Sequence, residues 1–335
     1  MKVVRADLLS MLQMVSVGLS KLEVIEQSSS FVFSKSSVIT YNDEISCKCK
    51  MKYKMPEGAV NADILLKSLQ QIQEDTIDVS FVKGRLCLKT KNIKTNINMD
   101  CDVVLSTKEV EKPSKWKKLP KKFQDAMSIV YLCASYDDSQ FALSCVLFDK
   151  KALNATDSFQ VCRYPLKLPL EEPVMLKRHS VQLLSTLNLT EVSVTDGWVH
   201  FQNEEGLIVS CRKSVGYEEF PDVRGFMKGE GDEVTFPKLL SGVITRSKLF
   251  AGSDIETSSI KVALKKGGFR IVGKGKMGMI REDGKMEYKG KPMSFTIQPD
   301  LFVKICQREG TCIVCDNKMI VKDDRFTYAV SLESV

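Results

Sequence analysis

The sequence repeats one order of secondary-structure signals three times, and this repeat constrains the fold more than any single motif. Segments with apolar residues three and four positions apart predict amphipathic helices, and each third of the chain contains two of them. The first helix of each third is expected near Ala6, Pro120 and Pro237, and the second near Asn61, Lys177 and Gln298. The 335 residues suffice for two or three domains, so three repeats of about 110 residues fit the length.

Alternating apolar and polar residues predict strands between and after these helices. A hairpin is expected after the second helix of each third, with Lys83-Gly84 and Asp196-Gly197 at two of the tips. The repeating unit is therefore an α+β domain in which two helices pack on antiparallel sheets. We expect three such domains, at residues 1–112, 113–230 and 231–335.

Composition limits the classes of protein to which the chain can belong. The formal net charge is +7, and residues 231–335 hold most of the excess, with 18 basic and 13 acidic side chains. This weak excess permits nucleic-acid binding without proving it. Eleven cysteines at irregular spacings, with no export signal, predict reduced thiols in a cytoplasm. No apolar run approaches eighteen residues, so no membrane span is expected.

The stretch "GKGKMG", from Gly273 to Gly278, matches the spelling of the dinucleotide-binding fingerprint. That fingerprint requires a helix immediately afterwards, whose N-terminal amides meet the pyrophosphate. Residues 279–295 alternate like strands instead, so a glycine-rich strand or turn is favoured over a nucleotide-dependent enzyme. The enzyme hypothesis would require a nucleotide to raise the melting temperature.

Cysteine and histidine positions give no catalytic or metal site. Cys312 and Cys315 form a C-x-x-C in a predicted strand, and Cys47 and Cys49 a C-x-C in another repeat, so buried core cysteines are favoured over zinc or redox chemistry. Neither histidine, at 179 or 200, has a serine or cysteine partner arranged as a nucleophile elbow. We expect no enzyme activity, no metal and no cofactor.

The predicted helices share polar faces that are richer in Lys, Arg, Gln and Ser than in acids, as at Lys67, Arg178 and Lys248. For one helix alone, a solvated face is the better interpretation. A similar polar face recurs on nearly all of the predicted helices, which favours contact with nucleic-acid phosphates rather than with bases. Such binding would be sequence-independent and salt-sensitive.

Four stretches in the right order carry a resemblance to a known family. They are "NATDSFQVCRYPLKLPLEEPVMLKRHSVQLLSTL" from Asn154, "FPDVRG" from Phe220, "TRSKLFAG" from Thr245 and the C-terminal "TYAVSLESV". Together with the threefold repeat, they resemble the bacterial β sliding clamp, the processivity subunit of the replicative DNA polymerase, over essentially the whole chain. The chain is shorter than typical bacterial members, which suggests trimmed loops and is consistent with a phage-encoded version.

The resemblance implies a ring of two subunits, head to tail, in which six similar domains surround duplex DNA without reading its sequence. It further implies a bacterial cytoplasm, at the nucleoid or in a phage-infected host. Expected DNA contacts are Lys21, Lys67, Lys121, Lys122, Tyr136, Gln140, Arg178, Lys238, Arg246, Lys248 and Lys304. A clamp-like decoy, which binds replication partners but never encircles DNA, is the alternative.

The resemblance also implies a pocket for short peptides of the DNA polymerase and the clamp loader. Its expected residues are Leu147, Thr156, Ser158, Phe159, Gln160, Val161, Met227, Val330, Ser331, Leu332 and Glu333. Asp157 is then structural, since its side chain accepts backbone N–H groups in the turn. Where the family has Gly-His-Arg and a Met-Pro-Met-Arg tail, this chain has Ser158-Phe159-Gln160 and Ser331-Leu332-Glu333-Ser334, which predicts a changed choice of partner.

For the contact between subunits, the resemblance points to an apolar pair, Leu249 and Phe250. The basic strand "LKTKNIK" would pair with acids of the third domain; these residues are Lys89, Lys91, Lys94, Glu282 and Glu287. The same lysines could instead protect a charged sheet edge against aggregation, and the sequence favours neither interpretation.

Overall fold

A computed structural model of the chain describes residues 1–34, 36–251, 258–307 and 311–333. Ser334, which follows the last predicted pocket residue, lies outside the described residues. Within them, none of the helices is long and apolar enough to cross a membrane.

The structure has the six helices that the apolar spacing predicts. They are α1 Arg5–Val15, α2 Ala62–Gln71, α3 Phe123–Val130, α4 Arg178–Leu184, α5 Leu240–Lys248 and α6 Pro299–Cys306. Helix α2 shows why such segments fold: the Asn61 side chain accepts a hydrogen bond from the Ile64 N–H at 3.1 Å, and Leu65 and Leu69 are buried on one face.

Two predicted helix starts are three residues early. Pro120 and Pro237 begin turns rather than helices, because the N–H of Phe123 and of Leu240 each bonds to the proline carbonyl three residues before it. Helices α3 and α5 then start at those residues. Proline suits this first turn because it has no N–H to leave unsatisfied.

Within the described parts of the chain, twenty-four strands connect these helices, and all the pairings described between them are antiparallel. They are β1 Lys2–Val4, β2 Ser30–Ser34, β3 Ser37–Tyr41, β4 Ile45–Lys50, β5 Gly58–Asn61, β6 Thr76–Val82, β7 Arg85–Lys89, β8 Lys94–Asp100, β9 Lys117–Lys118, β10 Cys145–Asp149, β11 Ala152–Thr156, β12 Gln160–Pro165, β13 Val174–Lys177, β14 Glu191–Val194, β15 Trp198–Gln202, β16 Leu207–Arg212, β17 Asp232–Val234, β18 Ile260–Lys265, β19 Gly268–Gly275, β20 Gly278–Lys285, β21 Met293–Ile297, β22 Cys312–Val314, β23 Lys318–Lys322 and β24 Thr327–Ser331. The three predicted hairpins are β6–β7, β14–β15 and β22–β23.

The chain divides into two compact units. Unit 1 comprises Met1–Ser128, Phe148–Lys151 and Leu166–Tyr217, and unit 2 comprises Ile129–Leu147, Ala152–Pro165 and Glu218–Val335. The three domains expected from the repeat, with boundaries after residues 112 and 230, stay a prediction.

Unit 1 is built on a twelve-stranded sheet in the order β1-β6-β7-β8-β5-β2-β3-β4-β16-β15-β14-β9. Strands of the first and second repeats join in it at β4 and β16, where Cys47 lies opposite Val209. Its core contains Trp198 packed near Tyr41, with ring centroids 6.5 Å apart. The guanidinium of Arg212 lies 4.8 Å from the Trp198 ring and covers it.

Unit 2 contains two runs of paired strands. One has the order β11-β12-β24-β23-β22-β17, and the other is the four-stranded sheet β20-β19-β18-β21. Phe302 of α6 is fully buried and meets Phe236 and Phe295 edge to face, with centroids 4.9 and 6.0 Å away. Such contacts fix α6 against the surrounding strands.

Candidate functional site

The turn between β11 and β12 is organised by the carboxylate of Asp157. Its Oδ1 accepts hydrogen bonds from the N–H groups of Phe159 and Gln160 at 3.0 and 2.9 Å, and its Oδ2 accepts one from the Gln160 Nε2 at 2.7 Å. Ser158 has a φ of 76°, and Thr156 donates through its hydroxyl to the Gln160 carbonyl. All of these bonds are local, so Asp157 holds the turn, as the sequence predicts.

Gln160 connects this turn to two other elements of unit 2. Its side chain is 5% exposed, and its Oε1 accepts hydrogen bonds from the Tyr328 hydroxyl at 2.8 Å and from the Lys304 ammonium at 3.2 Å. The turn, β24 and α6 are thereby tied together through one amide. Each of its polar atoms has a partner, which is the condition for a rigid buried polar group.

The last described residues are fixed beside the same turn. Ser331 donates through its N–H and its hydroxyl to the Phe159 carbonyl, at 2.8 and 3.1 Å. Leu332 is buried, and its N–H bonds to Asn317. Glu333 forms an antiparallel bridge with Thr296, in which each N–H bonds to the other residue's carbonyl.

Strand register divides the predicted pocket residues between two faces of the sheet. Thr156 lies opposite Val161, Val161 opposite Ala329, and Ser331 is two residues further along β24, so these side chains share one face. Gln160 and Val330 are opposite each other on the other face, where the Gln160 amide meets Lys304. The structure therefore brings only part of the predicted pocket onto one surface.

The predicted pocket residues also differ in their exposure to solvent. Ser158, Phe159 and Glu333 are exposed, Leu147 and Ser331 are half-buried, and Thr156, Gln160, Val161, Met227, Val330 and Leu332 are buried. The segment containing Met227 packs on the Thr156 face, because a Cβ at Gly229 would lie 3.1 Å from the Lys318 side chain. Lys318 is the cross-strand neighbour of Ser331, which places it on that face as well. Ser158, Phe159 and Glu333 are thus the predicted pocket residues most open to solvent.

Several of the predicted DNA contacts already have carboxylate partners. Arg246 makes a bidentate ion pair with Glu282, both distances being 2.8 Å. Lys248 bonds to both carboxylate oxygens of Asp300 at 2.7 and 2.8 Å, and Lys67 pairs with an acid one turn away in α2. A phosphate that approached any of these positions would therefore compete with an acid.

The other predicted contacts differ in accessibility. Lys21, Lys121, Lys122, Tyr136, Gln140 and Lys238 are exposed, Lys304 is half-buried and Arg178 is buried. Lys304 contacts the pocket residue Gln160, a link that sequence spacing gave no reason to expect. Burial of the Arg178 side chain, which is 8% exposed, limits its reach to a phosphate.

At the predicted subunit contact, the end of α5 exposes an apolar side chain. Leu249 is 76% exposed, whereas Phe250 is half-buried and its ring lies 3.5 Å from the position of a Cβ at Gly278. Glu282 lies close by, and its hydrogen bond with Arg246 lowers the pKa of its carboxyl below the ordinary value. Glu287 is exposed.

The predicted basic strand at residues 88–94 is a hairpin. Lys89 ends β7 and lies opposite Lys94, which starts β8, and Lys91 is in the turn between them. The Thr90 side chain accepts hydrogen bonds from the Asn92 and Ile93 N–H groups and so closes this turn. The three lysines are exposed at its tip.

The glycines of "GKGKMG" have structural roles. Strand β20 begins at Gly278 where the nucleotide fingerprint needs a helix, and Gly275 pairs with Gly278 across the hairpin. A Cβ at Gly273 would lie 2.1 Å from the Ser247 carbonyl oxygen, so only glycine allows α5 to approach β19 this closely. The fingerprint's geometry is therefore absent at these residues.

His200 has a serine partner that the sequence did not predict. Its Nδ1 lies 2.7 Å from the Ser210 hydroxyl and its Nε2 3.0 Å from the Thr195 hydroxyl. His200 and Ser210 are 0% and 4% exposed, so no substrate reaches them, and burial lowers the pKa of His200 from 6.5 to about 4. Burial likewise raises the pKa of the Cys312 thiol to about 12, the reverse of a reactive cysteine.

Comparison with known proteins gives a consistent result at the level of the fold. No protein-family profile and no curated protein matches the chain by sequence. Solved structures do match. The DNA polymerase III subunit beta from Pseudomonas aeruginosa has a TM-score of 0.82 at 15% identity, and the DNA polymerase III beta subunit from Thermotoga maritima has 0.83 at 14%. Each match covers 100% of this chain and 99% of the other.

A sliding clamp from Pseudomonas aeruginosa bound to griselimycin matches with a TM-score of 0.82, 16% identity and the same coverage. At such low identity the agreement concerns the backbone arrangement rather than individual side chains. Over its whole length, the chain has the fold of the bacterial DNA polymerase III beta sliding clamps.

Proposed function

We propose that the chain is a DNA sliding clamp, which encircles duplex DNA and tethers the replicative DNA polymerase and other enzymes to it. The observation that carries this proposal is the match to polymerase III beta subunits over essentially the full length of both chains. A decoy that only bound partner peptides would need the peptide site but not the full-length fold of a clamp. In the proposed ring, two copies of the chain each contribute domains 1–112, 113–230 and 231–335.

Weak phosphate contacts suit this function. Arg246 already pairs with Glu282, and Lys248 with Asp300. A phosphate that replaced either carboxylate would gain only the difference between the two interaction energies, which supports loose binding. Exposed pairs of this kind contribute about 0–1 kcal/mol. Retention on DNA would then come from topological linkage, while the contacts allow the protein to slide and weaken as salt rises.

The proposed subunit contact is supported by unpaired strand edges next to an exposed apolar side chain. Strand β20 is the last strand of its sheet, and residues 94–98 of β8 pair with β7 only, within the described part of the chain. Leu249, close to β20, is 76% exposed. A second copy that joined these edges would cover Leu249 and remove two sites of aggregation.

The proposed partner site is the surface around Phe159, Ser331 and Glu333, which would receive short peptides of the polymerase and the clamp loader. Its support is the rigid turn beneath it, fixed by Asp157 and Gln160. The chain itself would then be a scaffold without catalysis or a cofactor, in the cytoplasm of a bacterial cell or a phage-infected host.

The proposal is tested first by native mass and then by retention on DNA. Two copies of the 37.6 kDa chain should form a dimer in light scattering across a dilution series. After loading, the protein should stay on closed circular DNA and leave when the circle is cut. Leu249→Asp should shift the mass toward the monomer, whereas Leu239→Asp, also at an exposed leucine, should not.

Escape from closed circles as fast as from cut ones would refute the clamp. A monomer at every concentration that still binds polymerase peptides would favour the decoy.

A further inference from the structure

The candidate peptide surface has an exposed carboxylate two residues beyond the residue that bonds to Phe159. Glu333 is exposed, and its backbone is held by both hydrogen bonds of the bridge with Thr296. Glu333 lies two residues beyond Ser331, which ends β24. Ser331 in turn donates two hydrogen bonds to Phe159, whose side chain is 38% exposed.

The neighbouring charges have other partners. Asp157 is directed into its own turn, and Lys304 meets Gln160 on the opposite face of the sheet. Lys318 lies on the same face as Ser331, but its ammonium is 5.3 Å from the centroid of the Phe226 ring. Among the ion pairs between described residues, none involves Glu333. Its carboxylate therefore offers an acceptor next to an apolar contact.

We propose that Glu333 selects peptides that carry a lysine or arginine within about three residues of an apolar anchor that packs on Phe159. This inference rests on the proposed peptide site and names the chemistry of its partner. An extended peptide advances about 3.3 Å per residue. If its apolar anchor packs on Phe159, two or three further peptide residues would reach past Ser331 to Glu333. An acidic peptide would meet Glu333 as a like charge and bind more weakly.

The test uses the full-length chain and a random peptide library displayed on phage, selected separately by the unchanged protein, by Glu333→Lys and by Glu219→Lys. The control residue, Glu219, is an exposed glutamate of the same unit, and its substitution changes the net charge equally. The unchanged protein and Glu219→Lys should enrich Lys or Arg near an apolar anchor. Glu333→Lys should lose that enrichment and favour Asp or Glu.

Affinities of one selected peptide then give the size of the effect. Glu333→Gln should weaken binding about two- to fivefold, the range expected for one exposed ion pair, and about 0.5 M salt should remove the difference. Selection of the same charges by all three proteins would overturn the inference while leaving the peptide site intact. If the unchanged protein selects no apolar anchor, or Phe159→Ala binds as well, the proposed site itself is wrong.

Discussion

Replacing Gln160 by leucine should lower the free energy of unfolding by about 2–4 kcal/mol. Leucine keeps a similar volume but removes three hydrogen bonds, two of them with the charged groups of Asp157 and Lys304. Bonds to charged groups contribute about 1.5–3 kcal/mol each and neutral ones about 0.5–1.5. Asp157 and Lys304 are half-buried, which favours the low end of these ranges, and burial of the leucine side chain offsets about 1 kcal/mol of the loss.

The measurement is urea-induced unfolding followed by circular dichroism, with affinity for a selected peptide as a second readout. Gln70→Leu is the matched control, since this glutamine is exposed on α2 and its substitution should change stability by less than about 0.5 kcal/mol. The Gln160 variant should also bind peptides more weakly, because the turn that presents Phe159 loses its anchor. A stability loss below about 1 kcal/mol would refute the reasoning, since the buried amide would then contribute little.

Three further substitutions test the packing, the pH dependence and a turn. Gly273→Ala should destabilise by about 1–3 kcal/mol in urea unfolding, because its Cβ would lie 2.1 Å from the Ser247 carbonyl; Gly225→Ala, which meets no atom within 4 Å, is the control. The pKa of His200 is about 4 in the folded chain and 6.5 in the unfolded chain, so between these pH values the unfolded chain binds a proton at His200 and the folded chain does not. The free energy of unfolding should therefore fall by about 2 kcal/mol as pH drops from 6.5 toward 4. His200→Gln should remove that part of the pH dependence, and an unchanged pH profile would contradict the assignment. Lys83 has a φ of 51° in a two-residue turn before Gly84. Lys83→Asn should therefore stabilise the fold by about 0.5 kcal/mol and raise the melting temperature. A melting temperature below that of the unchanged protein would contradict a type I′ turn.

The helices and hairpins could be predicted because their signals are local. Apolar spacing in α2 and the Lys83-Gly84 dipeptide, where both residues have a positive φ, each act within a few residues, so a single sequence contains them. The hairpin at residues 88–94 was missed because its turn has neither an Asn-Gly nor an Asp-Gly pair. Thr90 closes it instead through its side chain, a signal that is weak in sequence.

The pairings that position the candidate site could not be predicted from spacing. Gln160 and Lys304 are 144 residues apart, and β4 and β16 pair Cys47 with Val209 from different repeats. Resemblance to the clamp family suggested which residues lie near one another but not which face each occupies. Val330 shows the difference: the resemblance predicts it in the pocket, and the register places it on the face opposite Ser331.

The charge pattern links the proposed sliding to the paired cations. Arg246 and Lys248 are 55% and 49% exposed with carboxylates in contact, so each presents a dipolar pair rather than a bare cation. In the proposed clamp, an incoming phosphate would replace the carboxylate at little cost, since an exposed pair contributes about 0–1 kcal/mol, and the carboxylate would pair with the cation again when the phosphate moves on. In the proposed clamp, such exchange would keep the energy nearly the same at each position along the duplex, because a phosphate would gain little over the carboxylate that it replaces. Unpaired cations at these two positions would bind a phosphate more tightly and would slow its exchange.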